Sequence, residues 1–339
     1  MLAAATAANG CGAGQSAVPT LPIPAWPKIL PTATASPVTG KLLTVHGGNF
    51  FVYDLATRLE TPLSHFPANV YPTSPALSPD RQRIAFSYFA LPTDKNDLRG
   101  TDLYVMGVNG ENVKLVRAHP QPDTGYLEPT WTADGQGLDV TFRTSTRDSQ
   151  GNYTGQSVAI VRVGLEGGEP VQLVAGGESP VVSPDGSRLG YVTVDQSQQG
   201  HAIWVGDGDG KGAKSILDNQ GFNWLREPRF SPDGSRLAFA AIGGPSGTPT
   251  PKSARLGPEL VAIAEAHGIP WDIWTVRPDG TELRKLTHVG EDTPTPAWSP
   301  DGKWIAIAGE IGLYVVDSQG QNLVRLSTLV SGGGITWLA

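Results

Sequence analysis

Charged side chains stand beside a proline that recurs along the chain. Glu128 and Glu227 directly precede a proline, Glu178 lies two residues before one, and Arg226 precedes Glu227. If these positions lie at the central channel of a ring of sheets, their carboxylates could hold a cation or a basic peptide end through their summed charge. The alternative is a wet channel lined by solvated polar residues. We predict partner contacts at Glu128, Glu178, Arg226, Glu227 and Trp271.

A cofactor site is not indicated by the residue spacing. The run from Asp207 to Gly212 begins like a calcium loop with Asp207 and Asp209, but no Glu follows near the twelfth position. Other repeats carry an ordinary Asn-Gly or Asp-Gly turn at the same place, so calcium is disfavoured there. The six histidines lack the spacing of a helical zinc site, and the single cysteine excludes a Cys-based one.

Catalytic residues are not predicted either. The chain contains no Gly-x-Ser-x-Gly elbow of the kind that presents a nucleophilic serine. We therefore expect a protein that is not an enzyme. The alternative is a hydrolase or lyase that acts on a small molecule or glycan at the channel mouth. That alternative requires a metal or two carboxylates with separated pKa values.

Composition narrows the class of protein further. The 339 residues include 25 Lys plus Arg and 32 Asp plus Glu, which gives a net charge of -7 and disfavours nucleic-acid binding. The 42 Gly and 29 Pro disfavour long helices and indicate an all-β fold. No apolar stretch approaches the ~18 residues that cross a bilayer.

An internal repeat organises these residues. Ser-Pro-Asp-Gly begins at Ser183, Ser231 and Ser299, with variants at Ser78 and Thr132. Intervals of about 50 residues, with one longer, suit the four strands of a propeller blade. Ser and Pro favour the first two turn positions and Gly tolerates the last, so the motif predicts a hairpin turn. The repetition of its Asp in every unit predicts turn capping, not catalysis.

The chain ends complete the repeat. The tail 335–338 aligns with the first strand of a unit, and the head 40–54 aligns with the second and third strands. We therefore predict a six-bladed β-propeller with four antiparallel strands per blade, closed by terminal strands that share one blade. A closed ring leaves no unpaired sheet edge at the termini.

Loop lengths predict which face binds. The connections from second to third strand are long, near 91–101, 144–156, 195–201 and 243–271. Antiparallel alternation places them on the rim where the innermost strands begin, which we call the loop face. Within the largest insertion, Pro258 to Gly268 predicts a short helix, which would pack on the rim, cover the channel or dock a partner.

The repeat resembles that of a known family. Ser231 to Phe239, like the Asp102 to Val105 strand, resembles the WD40-like repeat of the TolB propeller superfamily, over about residues 40–339. That repeat is shared by periplasmic TolB, surface lipoproteins and prolyl oligopeptidase-type hydrolases, so it implies a fold more firmly than a function. TolB carries an α/β domain ahead of its propeller, where this sequence has tether-like residues, so Pal binding is not implied.

The first forty residues predict export. Asn9-Gly10-Cys11 resembles the cleavage box of bacterial lipoproteins, in which Cys11 is lipidated, and residues 1–16 are interpreted as a truncated signal segment. Residues 17–39 have the Pro-rich composition of an extended tether, and the propeller occupies 40–339. We expect a monomeric protein in the periplasm or on the cell surface, held at the membrane only by its lipid, that binds a protein or peptide.

Overall fold

Four-stranded antiparallel units account for the strands of the described chain. The computed structural model describes residues 36–91, 100–195, 200–217, 221–245, 271–328 and 332–338. Every regular element in these ranges is a strand, as the all-β prediction requires. Within the same ranges we find no helix with the length and apolarity of a membrane span.

The strands form five consecutive units, each given below from its innermost to its outermost strand, and one closing unit to which both chain ends contribute. The closing unit contains β1 (Lys41–His46), β2 (Asn49–Asp54), β3 (Glu60–Pro62) and, as its innermost strand, β24 (Ile335–Trp337). Unit 1 contains β4 (Val70–Leu77), β5 (Arg83–Ala90), β6 (Gly100–Gly107) and β7 (Lys114–Arg117). Unit 2 contains β8 (Thr124–Trp131), β9 (Gly137–Arg147), β10 (Tyr153–Gly164) and β11 (Val171–Ala175).

The remaining three units follow the same plan. Unit 3 contains β12 (Gly177–Val182), β13 (Arg188–Asp195), β14 (Gly200–Asp207) and β15 (Lys214–Ser215). Unit 4 contains β16 (Phe222–Phe230), β17 (Leu237–Gly243), β18 (Asp272–Val276) and β19 (Arg284–Lys285). Unit 5 contains β20 (Thr295–Trp298), β21 (Trp304–Ala308), β22 (Leu313–Asp317) and β23 (Val324–Ser327).

Head and tail pair as the repeat predicts. Leu42 lies opposite Trp337 and Thr44 opposite Ile335 in an antiparallel register. Units 1 and 2 depart from separate blades, because Gly100 pairs with Thr124 in a short parallel contact that joins β6 to β8. Two of the four-stranded units therefore share one eight-stranded sheet.

Apolar clusters fill the junctions between neighbouring units. Among the described residues, one such cluster lies at each of the six junctions, including the junction between the closing unit and unit 1. There Leu43 and Phe50 of the closing unit pack with Ile84 and Phe86 of unit 1. Because every unit buries both of its faces against a neighbour, the units form a closed ring.

The innermost strands surround a central axis. A cavity of 370 Å³ is lined by residues from β4, β8, β12, β16, β20 and β24, and by prolines of the Ser-Pro-Asp-Gly turns. We call this end of the axis the turn face. It lies opposite the loop face, because the innermost strands of units 1 to 5 each end at a Ser-Pro-Asp-Gly turn or its equivalent.

The Ser-Pro-Asp-Gly turns are closed by their own side chains. Ser183 donates its hydroxyl to Asp185 at 2.6 Å and accepts the Arg188 amide at 2.9 Å, while Asp185 also accepts the Ser187 amide. These hydrogen bonds, first from the Ser183 hydroxyl, lower the pKa of Asp185 to about 2. The recurring Asp therefore caps the turn, as its repetition predicts.

Tryptophans near the end of two innermost strands connect neighbouring units. The Trp131 indole N–H donates to the Ala76 carbonyl at 2.9 Å, and the Trp298 indole N–H donates to the Arg229 carbonyl at 3.0 Å. Both tryptophans are buried. Each bond joins a unit to the one before it.

We expect Trp298→Phe to lower the free energy of unfolding by about 1–2 kcal/mol, because the Arg229 carbonyl loses its donor in a buried setting. Urea denaturation measures the loss. Trp304→Phe is the matched control, since the half-buried Trp304 makes no indole hydrogen bond to a described residue. Equal losses in the two variants would contradict the assigned role of the bond.

Candidate functional site

The residues that precede the recurring proline lie in strand bulges. Glu128 and Glu227 have φ values of 54° and 53°, and the equivalent Ser74 and Ser179 have 54° and 52°. At each of the four positions the pairing with the second strand shifts register. This left-handed conformation is uncommon for residues other than Gly, and a bulge changes where a side chain points.

The last two innermost strands differ in detail. β20 pairs without interruption through Thr295, and the left-handed residue of that segment is Thr293, with φ 44°. In the closing unit the equivalent position is Gly334, with φ 101°. The left-handed residue therefore recurs around the axis as part of the fold, and by itself it marks no site.

Glu128 connects two units. Its Oε2 accepts the Ser179 amide of unit 3 at 2.9 Å and the Thr141 hydroxyl of its own unit at 2.8 Å. Charged hydrogen bonds of this kind stabilise a carboxylate and fix its position. Glu128 is thus a structural group as well as a charge near the axis.

Glu227 is paired along the axis. Its Oε2 accepts a hydrogen bond from Arg229 Nη2 at 2.5 Å, and Arg229 also donates to the Pro228 carbonyl. Arg229 lines the turn-face cavity, whereas Glu227 lines a second cavity at the loop face. The ion pair therefore lies between the two ends of the channel and neutralises Glu227.

Glu178 is a buried carboxyl among charges. Only 8% of the residue is exposed, and among the described residues none donates a hydrogen bond to its carboxylate. Burial raises the pKa of Glu178 above its ordinary value, and the charge of Glu128 adds to the rise, while Arg226 and Arg143 oppose it. The predicted charged residues are therefore close enough to interact.

A small cavity at the loop face brings three predicted contacts together. It encloses 130 Å³ and is lined by Arg226, Glu227 and Trp271 together with polar and glycine residues of units 1, 5 and the closing unit. Trp271 is 6% exposed, and its amide donates to the Glu291 carbonyl at 3.0 Å, so it forms a wall of the cavity. Whether these residues contact a partner stays a prediction.

An exposed tryptophan beside the cavity was not predicted. Trp224 is 45% exposed and lies two residues before Arg226 on β16, which places both side chains on the same face of the strand. The His201 ring lies 4.5 Å from the Trp224 ring, and burial together with Arg226 lowers the pKa of His201. The signal available in the sequence was an aromatic residue, Trp224, two positions before the predicted contact Arg226.

A buried acid behind Trp271 was also missed. Glu291 is fully buried, and its Oε2 accepts the Ile311 amide at 2.9 Å. Burial raises the pKa of Glu291 to about 7, and Tyr314, the Ile311 amide and Arg325 oppose the rise. Its partners come from distant positions in unit 5, so the local sequence gave no signal.

The predicted long connections have mixed outcomes. Residues 144–156 are not an irregular loop: β9 and β10 continue as a hairpin to the pair Arg147–Tyr153, closed by hydrogen bonds between Asp148 and Asn152. Residues 92–99, 196–199 and 246–270, which include the predicted helix, lie outside the described residues. Cys11 and nearly all of the tether also lie outside them.

The carboxylates of the disfavoured calcium loop serve a turn. Asp207 Oδ1 accepts the amides of Asp209 and Lys211, and Asp209 lies 3.2 Å from Arg162 of unit 2. Within the described ranges, no group of three or more His, Cys, Asp or Glu side chains could hold a metal ion.

Comparison with known proteins supports the fold. No protein-family profile matches the chain. The uncharacterized peptidase YuxL of Bacillus subtilis is 28% identical over 137 residues, which is 39% of this chain but only 17% of YuxL. TolB of Nitratidesulfovibrio vulgaris is 40% identical over 37 residues, 11% of this chain and 8% of that protein.

Solved structures show a similar fold over most of this chain. TolB of Acinetobacter baumannii superposes with a TM-score of 0.63 at 14% identity, over 88% of this chain and 66% of that one. A chain of a nidogen–laminin complex has a TM-score of 0.59 at 12% identity, over 88% of this chain and 98% of that chain. The chain spans less than two thirds of TolB and under a fifth of YuxL. What these comparisons establish is the propeller fold, which this chain shares with TolB and with the nidogen–laminin chain.

Proposed function

We propose that this protein is a non-enzymatic, exported propeller that binds a protein or peptide at its loop face. The observation that carries the proposal is the exposed Trp224, which lies two residues before Arg226, a residue that lines the loop-face cavity. Tryptophan and arginine are the residue types that most often dominate protein interfaces. Glu128, Glu178, Glu227 and Trp271 complete the proposed contact region.

The size of the cavity favours a macromolecular partner. Its 130 Å³ is well below the ~300–1,000 Å³ of pockets that enclose small-molecule ligands. A partner would therefore insert only a small group and cover the surrounding rim. The fold likeness to a chain from a nidogen–laminin complex is consistent with this use of a propeller.

Export and anchoring belong to the same proposal. Cys11 would carry the lipid, and residues 17–39 would separate the ring from the membrane. Mass spectrometry of the native protein tests lipidation at Cys11, and Cys11→Ser should release the protein from the membrane fraction. A Cys11→Ser variant that stays in the membrane fraction would contradict the lipid anchor. The binding face needs a separate test.

The binding face is tested by photo-crosslinking in the native cells. We expect a benzophenone amino acid at position 224 to form a discrete protein adduct, and Arg226→Glu to reduce that adduct about tenfold or more, because close charge contacts are worth several kcal/mol. Position 59 is the control, since Leu59 is 67% exposed on the β2–β3 turn at the opposite rim. The same adduct from both positions, or one indifferent to Arg226→Glu, would contradict the proposed site.

A second candidate function is hydrolase or lyase chemistry on a glycan or small molecule. Its specific support is the raised pKa of the buried Glu178, since a carboxyl that keeps its proton more firmly than usual can act as a general acid. The segment shared with the uncharacterized peptidase YuxL adds peptides as substrates. Product analysis of glycan and peptide pools, with Glu178→Gln as the inactive control, tests this candidate.

A further inference from the structure

The loop-face cavity contains a cation that makes no ion pair within the described part of the chain, although it interacts with the charge of Glu178. Arg226 lines the cavity, and it forms no ion pair or hydrogen bond with any described side chain. Glu227, the acid next to it, is already paired with Arg229 at 2.5 Å. An arginine that remains unpaired at the wall of a cavity is a ready binding group for an anion, because its fork of donors matches a carboxylate.

The remaining lining supports the same ligand chemistry. Thr73, Ser74 and Thr295 contribute hydroxyl groups that can donate hydrogen bonds, and Trp271 provides an apolar wall. Gly333 also lines the cavity and packs against Val45, since a Cβ there would meet the Val45 side chain at 2.6 Å. The cavity thus combines the Arg226 cation, the Glu227 carboxylate that is paired with Arg229, several neutral donors and a flat apolar surface.

Its volume limits how much of a ligand can enter. At ~30 Å³ per water molecule, 130 Å³ holds roughly four waters. That space fits a carboxylate with one small residue. It does not fit an extended peptide segment, so the ligand must enter by an end or by a short side chain.

From these observations we propose that the loop-face cavity captures a peptide carboxylate, with Arg226 as the group that binds it. The inference rests on the proposed function and names the partner's chemistry. It differs from one interpretation of the sequence, in which converging carboxylates could hold a cation or a basic peptide end. Two of the acids near the cavity are occupied, Glu227 by Arg229 and Glu128 by Ser179 and Thr141, and the third, Glu178, is buried beside Arg226 and does not line the cavity.

Two sources of a peptide carboxylate can be separated with small probes. N-acetylglycine presents a chain end, N-acetylaspartate α-amide presents a side chain, and N-acetylglycinamide is the neutral control. The full chain labelled with 5-fluorotryptophan reports binding by ¹⁹F NMR, because Trp271 lines the cavity and is one of nine tryptophans. Trp271→Phe identifies its resonance.

We expect N-acetylglycine to shift the Trp271 resonance in a saturable manner, and N-acetylglycinamide to leave it unchanged. Arg226→Gln should weaken the response about tenfold or more, as loss of a charge pair does. Arg284→Gln, a substitution on the outermost strand of the same unit, should not change it. A response to the aspartyl probe alone would assign the ligand to a side chain, and a response to N-acetylglycine alone would assign it to a chain end.

Equal responses to the acid and its amide, or a full response in Arg226→Gln, would overturn the inference. The other eight fluorotryptophan signals show whether Arg226→Gln is folded. If that variant does not fold, Arg226→Lys replaces it, and we expect a weaker response because lysine lacks the fork of donors. If no probe binds while the crosslink from position 224 persists, the carboxylate inference fails and the proposed protein-binding function survives.

Discussion

Replacing Glu291 with Gln is expected to raise the free energy of unfolding by about 3 kcal/mol at pH 8.5, and to change it little near pH 4.5. This stability difference corresponds to a pKa of Glu291 that rises from 4.5 to about 7 on folding, at about 1.4 kcal/mol per pKa unit. Urea denaturation at several pH values measures the effect. A constant difference between the two proteins across this range would contradict the assignment.

The direction follows from the proton balance. The unfolded chain releases the Glu291 proton near pH 4.5, and the folded protein releases it near pH 7. Between these values the folded state binds more protons, so stability contributed by this group is present at low pH and is lost as the pH rises through about 7. Glutamine stays neutral throughout, so its advantage grows between these two pH values and reaches its full size above about pH 7.

The surroundings of Glu291 explain why its charge is costly. One carboxyl oxygen accepts the Ile311 amide, but Oε1 has no hydrogen-bond partner among the described residues. Gly309 packs so closely that a Cβ there would meet Oε2. Glutamine can still accept the Ile311 amide. Glu310→Gln, an exposed neighbour, is the matched control and should show no such pH dependence.

The sequence predicted the parts of the fold that depend on local turn chemistry. A Ser-Pro-Asp-Gly turn is closed by atoms within six residues, as in the Ser183 to Arg188 turn, so its composition reveals it. The pairing of the chain ends was also predictable, since a lone first strand and a unit lacking one complement each other. The extension of β9 and β10 was not, because its alternation of Thr, Ser and Arg carries no apolar face.

The site was predicted in part for a related reason. Position before the recurring proline indicated which side chains lie near the axis, and Arg226, Glu227 and Trp271 do line one cavity. Which charges remain free is decided by partners distant in sequence. Glu128 is occupied by Ser179 of the next unit, and the charges that act on Glu178 come from the units on either side of it. The count of carboxylates alone therefore could not indicate which charge the cavity would bind.

A very short strand, β24, closes the ring by pairing with β1. β24 has only three residues, of which Trp337 is 5% exposed and Ile335 is 2% exposed. Trp337 packs with apolar residues of unit 5 and of the closing unit, and it pairs with Leu42 across the chain ends. Few other residues hold the tail in place, so the contribution of this side chain should be large.

We expect Trp337→Ala to lower the free energy of unfolding by about 3–5 kcal/mol, the usual cost of removing a buried tryptophan from a core. Urea denaturation measures the loss. Trp224→Ala removes the same side chain from an exposed position, and we expect a change within about 0.5 kcal/mol because surface substitutions rarely cost more. Similar losses in the two variants would mean that β24 does not close the ring, and the assignment of side chains to the central axis would have to be revised with it.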